Sequence, residues 1–243
     1  MNPVLCILGG CNGAGKTTLA RELLPRLGLM RFLNADEMAR GLSPLDPTLS
    51  AFRAGRLLLE EARSLIAAKA SFAIESTLSG KTHVALIREA KARGYRILLH
   101  YIVIGSATQA VARVALRVQL GGHHVPEDDI RRRFDRSRRH FLTDYLPLAD
   151  EWVLWDNSEP PHLRIADGST YTLDQLHAML TSNILQEAPP RDMSEMVRIG
   201  LEASRVATEK MLDYYQRMGI QVTPQMTLAP EKPMRVRRKA KGA

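Results

Sequence analysis

Cysteine is scarce in this chain of 243 residues: there are two, Cys6 and Cys11. A bridge between them would close a trivial loop, so a disulfide framework is excluded and a reduced, cytoplasmic protein is expected. Long apolar runs are also missing. No stretch reaches 18 apolar residues, which excludes a helical membrane span. Met1–Gly10 is apolar but short, lacks a basic flank and runs straight into a glycine-rich loop, so it does not read as a signal peptide. No internal repeat occurs, and solenoid architectures drop out with it.

Hydrophobic residues make up 45% of the chain and charged residues 25%, enough for one sizeable core. The net charge is +8, and five of those charges come from Arg235, Arg237, Arg238, Lys239 and Lys241. The excess therefore describes a tail, 234–243, expected to be disordered, rather than the folded part. Its attraction to nucleic acid would be weak and unspecific, so nucleic acid is not the expected partner.

Strand-like runs alternate with helical periodicity. Val4–Leu8, Met30–Asn34, Ser71–Glu75, Tyr95–Ile104 and Glu151–Trp155 read as five strands. Helical stretches lie between them, the longest at Thr48–Ala70 with Leu57, Leu58, Ala62, Leu65 and Ile66 on one broad face. This order implies a parallel α/β sheet flanked by helices. Leu163–Ala166 and Thr170–Leu173 flank Asp167-Gly168, a hairpin turn signal within about 163–173. Ala188-Pro189-Pro190 then breaks the chain. A long helix, Ser194–Met218, follows, with a stripe of Val197, Leu201, Ser204, Thr208, Met211, Tyr215 and Met218 at 4-3 spacing. The expected layout is a domain at 1–185, a linker and helical extension at 186–233, and the tail. The stripe packs either on the first domain or on a partner, including a second copy.

Between the first strand and the first helix stands Gly10-Cys11-Asn12-Gly13-Ala14-Gly15-Lys16-Thr17, which fits G-x-x-x-x-G-K-[ST] in its proper context. Glycines allow the tight turn that leaves N–H groups facing phosphates, and the helix N-terminus adds partial positive charge. Gly10, Asn12, Gly13, Ala14, Gly15, Lys16, Thr17 and Thr18 are the expected nucleotide contacts. Lys16 reaches the β- and γ-phosphates, and the Thr17 hydroxyl ligates Mg²⁺. Cys11, at a helix N-terminus, is a candidate redox-sensitive thiol or simply a tolerated small residue.

A phosphate loop serves many reactions. No long apolar strand ends in Asp-Glu, as in a motor ATPase, and no Asn-Lys-x-Asp segment reads a guanine base. Both absences favour a kinase with a P-loop kinase-like sheet, using ATP or GTP. Asp36 follows the second strand and Glu75 ends the third, at the edge where such sheets bind ligands. Asp36 is the candidate catalytic base, or else a helix N-cap. Glu75 holds the Mg²⁺ shell or the acceptor, or else a structural partner.

Eight arginines lie between Arg113 and Arg139, on two helical stretches joined by Gly121-Gly122-His123-His124. Such an arrangement at about 121–143 suits a closing lid. Arg117 and one of Arg131–Arg133, represented by Arg132, are the candidate catalytic arginines; Arg136, Arg138 and Arg139 read as a solvated basic face. His123 is a hinge or substrate contact, and Arg113 shares a helix face with Arg117.

The phosphate loop, Phe32-Leu33-Asn34-Ala35-Asp36, Phe72–Gly80, Arg113–Arg117, Gly121-Gly122-His123 and Asp156-Asn157-Ser158 together resemble the zeta-toxin family of P-loop kinases over roughly residues 1–185. The resemblance implies phosphoryl transfer from a nucleoside triphosphate to a small hydroxyl-bearing molecule, with UDP-N-acetylglucosamine as the acceptor of the well-known members. It implies Asp36 as base, Glu75 and Thr77 on the acceptor side, and Arg117 with a later arginine as a phosphate clamp. A helical antitoxin often accompanies the family, but no residue here identifies one. The competing reading is a P-loop nucleotide-binding regulator or a nucleic-acid-associated NTPase.

Overall fold

Alternation along the first strand sets the architecture. In β1 (Val4–Gly9), Leu5 and Ile7 enter one apolar cluster while Cys6 and Leu8 enter another. A strand buried on both faces belongs in the middle of an α/β sheet. The computed structural model, which describes residues 2–122, 124–172, 174–176 and 180, puts it there. The elements follow as β1, α1 (Lys16–Arg26), β2 (Phe32–Leu33), α2 (Ala35–Leu42), α3 (Ala51–Ala67), β3 (Phe72–Ser76), α4 (Thr82–Ala92), β4 (Arg96–Val103), α5 (Ala107–Gln119), α6 (Glu127–His140), β5 (Glu151–Asp156) and β6 (Leu163–Asp167). The sheet order is β2-β3-β1-β4-β5-β6.

The first five of these neighbours pair in parallel, as the alternating sequence implies. The sixth strand was not expected as such. Leu163–Asp167 does not fold back on Thr170–Leu173; it pairs antiparallel with β5, Val153 opposite Asp167 and Asp156 opposite Leu163. Asp167 explains the correction. Its carboxylate accepts from Ser169 N, Ser169 Oγ and Thr170 Oγ1, which curls the chain after the strand and leaves residues 168–172 outside the sheet.

Helix ends obey local chemistry. Asn34 caps α2, its Oδ1 accepting from the N–H groups of Asp36 and Glu37. Asp36 is therefore in the first turn and is not the cap. The Gly121-Gly122 pair is the C-terminal stop of α5. Gly121 takes φ 82°, its N–H bonds Val118 O, and Gly122 N bonds Arg117 O at 2.8 Å, a Schellman arrangement.

The helix α6 is amphipathic lengthwise as well as around. Arg131 and Arg132 in its N-terminal half are exposed, whereas Ser137, Arg138 and His140 near its end are buried. Tyr101 on β4 fastens that end, donating to or accepting from Ser137 Oγ at 2.8 Å and stacking on Phe141 with ring centroids 4.0 Å apart. The linker, the 194–218 stripe, the 234–243 tail and His123 lie outside the described residues.

Candidate nucleotide and acceptor site

Parallel pairing brings the strand ends together. Gly9, the last residue of β1, lies opposite Ser76 on one side and Tyr101 on the other. The phosphate loop leaves the sheet between them. Gly10 has φ 148° and Gly15 φ 89°, conformations that side chains resist. A methyl group on Gly10 would also stand 2.6 Å from the Ile102 carbonyl oxygen.

The loop's carbonyls are spoken for. Lys16 Nζ donates to Cys11 O at 2.9 Å, Asn157 Nδ2 donates to Ala14 O at 2.9 Å, and His162 Nε2 lies 3.2 Å from Gly15 O. The first N–H groups of α1 have no partner inside the helix, as at any helix start. Asn12 is buried with Oδ1 unpartnered among the described residues. A loop whose Cys11, Ala14 and Gly15 carbonyls are bonded, and whose helix-start N–H groups have no partner inside the helix, is fitted to take an anionic ligand.

Glu75 is the hub of the acidic side. Its Oε2 accepts from Thr17 Oγ1 at 2.7 Å and from Asn34 Nδ2 at 2.9 Å, and its Oε1 lies 3.7 Å from Lys16 Nζ. The carboxylate thus joins the loop, β3 and the start of α2. Through Asn34 it also reaches Asp36, whose N–H is 2.8 Å from Asn34 Oδ1. The Asp36 side chain is exposed and lines a small recess with Ala35, Ala39, Pro47 and Ala51. Its carboxylate makes no hydrogen bond or ion pair with a described residue. A magnesium ion fits this donor set. Mg²⁺ takes one or two protein oxygens and fills the rest of its octahedron with phosphates and water, and Thr17 with Glu75 supplies those oxygens.

The segment after β3 is held in an uncommon shape. Leu78 has φ 53°, is 1% exposed and packs where a Gly9 side chain would stand, its Cδ1 2.4 Å from that position. His140 Nδ1 lies 3.2 Å from Leu78 O, and Tyr145 Oη donates to Gly80 O at 2.5 Å. Thr77 Oγ1 pairs with Ser79 Oγ at 2.9 Å, and Ser76 Oγ with His83 Nδ1 at 3.2 Å. Burial pushes the His83 imidazole down to about 4, so this hydroxyl-rich loop faces a neutral histidine.

The arginines divide. Arg113 is half-buried against the phosphate loop and donates to Ser158 O at 3.0 Å; burial lowers its pKa. Arg117 is half-buried beneath Gly122, whose added Cβ would stand 2.5 Å from Arg117 Cγ. Arg132 is 60% exposed and pairs with Asp129 at 2.7 Å; Arg131 pairs with Glu127 at 2.8 Å and Arg133 with Asp129 at 3.3 Å. Among the described residues, no hydrogen bond or ion pair joins these three to the phosphate loop. Arg138 corrects the expectation of a solvated face. It is buried, donates to Ile104 O at 2.8 Å and lies 4.4 Å over the Phe134 ring. For Cys11 the structure favours the tolerated small residue over the redox-sensitive thiol. Burial raises its thiol to about 11 despite Lys16, Arg138 and Arg113 nearby, so desolvation outweighs the positive surroundings.

Asn34, Asn157 and His162 were missed as site residues. Asn34 and Asn157 stood inside recognised motifs, but an uncharged amide carries no charge signature. His162 has no local signal at all, because its partner is 147 positions away.

Residues 5–141 match the model of a family described as AAA domain. An uncharacterised protein of Haemophilus influenzae is 32% identical over 125 residues, 51% of this chain and 88% of that protein. The PezAT chromosomal toxin-antitoxin system of Streptococcus pneumoniae has a chain of TM-score 0.58 at 17% identity, with 86% of this chain and 88% of that one covered. The AvrRxo1-ORF1:-ORF2 complex with ATP gives TM-score 0.61 at 17% identity, covering 84% and 76%. At that identity the two structures share the fold with this chain.

Proposed function

The chain belongs to the AAA domain family, and from that premise we propose that it is an ATP- or GTP-dependent kinase acting on a hydroxyl of a small molecule. The observation that carries the proposal is the Glu75 carboxylate, bonded at once to Thr17, Asn34 and, through Asn34, the Asp36 turn. A phosphate loop alone binds nucleotide. Tied to an exposed, unpartnered carboxylate on the next strand end, it gains a group able to take an acceptor's proton.

In the mechanism Lys16 leaves Cys11 O for the β- and γ-phosphates, a short movement for a flexible stem. Thr17 and Glu75 would hold a magnesium ion, which would supply charge neutralisation at the phosphates. Asp36 orients the acceptor hydroxyl and accepts its proton as the acceptor oxygen bonds the γ-phosphorus and the bond from that phosphorus to the β–γ bridging oxygen breaks, releasing the nucleoside diphosphate. Thr77, Ser79 and Ser76 offer hydroxyls to a polar acceptor. Arg117, with Arg132 or a neighbour released from Asp129, meets the γ-phosphate when the exposed half of α6 closes. The buried half, pinned by Tyr101, stays with the sheet.

The resemblance to zeta toxins supports a nucleotide-sugar, UDP-N-acetylglucosamine first, as the acceptor. The ATP-containing structural neighbour supports ATP as donor, and the PezAT neighbour supports an antitoxin-like protein partner. The site's acids point away from a mere nucleotide-binding regulator, which has no use for Asp36. The test is mass spectrometry of a nucleotide-sugar and metabolite panel incubated with protein, ATP and Mg²⁺. A gain of one phosphoryl group on a panel member is expected; ATP turnover with every acceptor untouched, and with steep salt-dependent RNA or DNA binding, would favour the nucleic-acid-associated NTPase.

A further inference from the structure

We infer that Asn157 and His162, on the loop between β5 and β6, are positioning residues that set the phosphate loop's backbone for nucleotide. The inference rests on the nucleotide-binding reading above and adds to it a second segment, 143 positions from the loop it controls.

A phosphate cradle needs successive peptide N–H groups turned inward, and each such turn sends a carbonyl outward. An outward carbonyl in a buried loop must find a donor or the loop relaxes to another shape. Here three carbonyls are at issue. Cys11 O is met from within the loop, by Lys16 Nζ at 2.9 Å and more distantly by Ala14 N–H at 3.3 Å. The bond from Lys16 is lost when that side chain turns to phosphate. Ala14 O is met from outside, by Asn157 Nδ2, while Gly15 O accepts the N–H of Leu19 within α1 at 3.0 Å and takes His162 Nε2 at 3.2 Å as a second partner. The bonds from Asn157 and His162 do not depend on Lys16, so they persist as it moves.

The fit is close. A methyl on Gly15 would stand 2.4 Å from Asn157 Nδ2 and 2.9 Å from His162 Nε2, so the third glycine is required by these two side chains as well as by its φ. Asn157 is 7% exposed, and its own N–H is fixed to Val103 O at 3.0 Å. The loop that carries both residues is held in turn. Ser158 O accepts from Gln109 Nε2 at 2.6 Å and from Arg113, and Asp156 Oδ1 accepts from Ser158 N and Oγ. The phosphate loop thus rests between α5 and a rigid brace, not on its own glycines alone.

The test measures the dissociation constant of Mg·ATP by calorimetry for the wild type, Asn157→Ala and Asn157→Asp, each with its melting temperature. Asn157→Asp keeps the shape but offers no donor while ionised. Both variants are expected to bind about tenfold or more weakly, the scale of leaving a buried carbonyl unpaired. Burial at this 7% exposed position raises a carboxyl above its ordinary value of about 3.9, so on acidification from about pH 8 to about pH 5 it begins to gain a proton and with it a donor. The ratio of the Asn157→Asp constant to the wild-type one should then shrink. Asp156 and Arg113 are common to both proteins; His162, whose pKa a carboxylate at position 157 would raise, is replaced by Gln in both for this comparison. A general loss of packing would give no such recovery. Should Asn157→Ala not fold, the isosteric variant decides alone. Unchanged affinity in Asn157→Asp, or a ratio flat in pH, overturns the inference and leaves the nucleotide reading intact. No binding by the wild type overturns both.

Discussion

Glu75 gives the site its coherence at the scale of single residues, because one carboxylate accepts from Thr17 and Asn34 and faces Lys16. Cys11 shows the opposite case, a reactive residue type made inert. Burial dominates and raises its thiol to about 11, although Lys16, Arg138 and Arg113 nearby pull the other way. The thiolate fraction is therefore small at neutral pH, and the protein should resist iodoacetamide under native conditions. Alkylation followed by intact mass is expected to show both thiols, Cys6 and Cys11, unmodified near neutral pH and modified after unfolding. Rapid native labelling of Cys11 would contradict the packing described.

At the scale of elements, the turn after β3 and the end of α6 form one unit. Leu78 sits at positive φ because its carbonyl meets His140 and the Gly80 carbonyl meets Tyr145. Tyr145→Phe removes one donor and little volume, at a cost of about 1 kcal/mol in stability. That variant should raise the acceptor KM several-fold while ATP affinity stays at the wild-type value, since the hydroxyl it removes bonds Gly80 O, beyond Thr77, and no hydrogen bond joins it to the phosphate loop among the described residues. Steady-state kinetics with either substrate varied checks it. The reasons for what the sequence revealed are also found here. The five parallel strands were legible because each is a short apolar run next to a helical period, and the phosphate loop because its glycines and lysine are contiguous. Asp36 and Glu75 were legible as acids at strand ends. The sixth strand was misread because Asp167-Gly168 is a good turn signal whose partner strand lies upstream. Arg138 was misread because nothing local distinguishes a buried arginine from the exposed ones beside it. Asn157 and His162 were invisible in their roles because their bonds are made across the whole length of the domain.

At the scale of the whole molecule, two imidazoles tie folding to pH. Burial pushes His100 and His83 down to about 4, below the ordinary value near 6.5. Between those values the unfolded chain binds protons that the folded one refuses, so stability is full above about pH 6.5 and falls as pH drops toward 4. Each neutral, buried ring costs the fold about 1.4 kcal/mol for every pH step of one in that window, so the melting temperature should decline steadily across it. A melting temperature flat from about pH 7 to about pH 4 would contradict the burial of both rings. The described domain is a sheet whose strand ends bring a phosphate loop and a shared carboxylate together, with the exposed Asp36 two residues beyond Asn34, the carboxylate's amide partner. The most direct test of that assembly is phosphoryl transfer by Asp36→Asn, followed on the acceptor found in the panel, beside its Mg·ATP affinity. Transfer should fall by about a hundredfold or more with nucleotide affinity preserved; transfer at the wild-type rate would contradict Asp36 as the base.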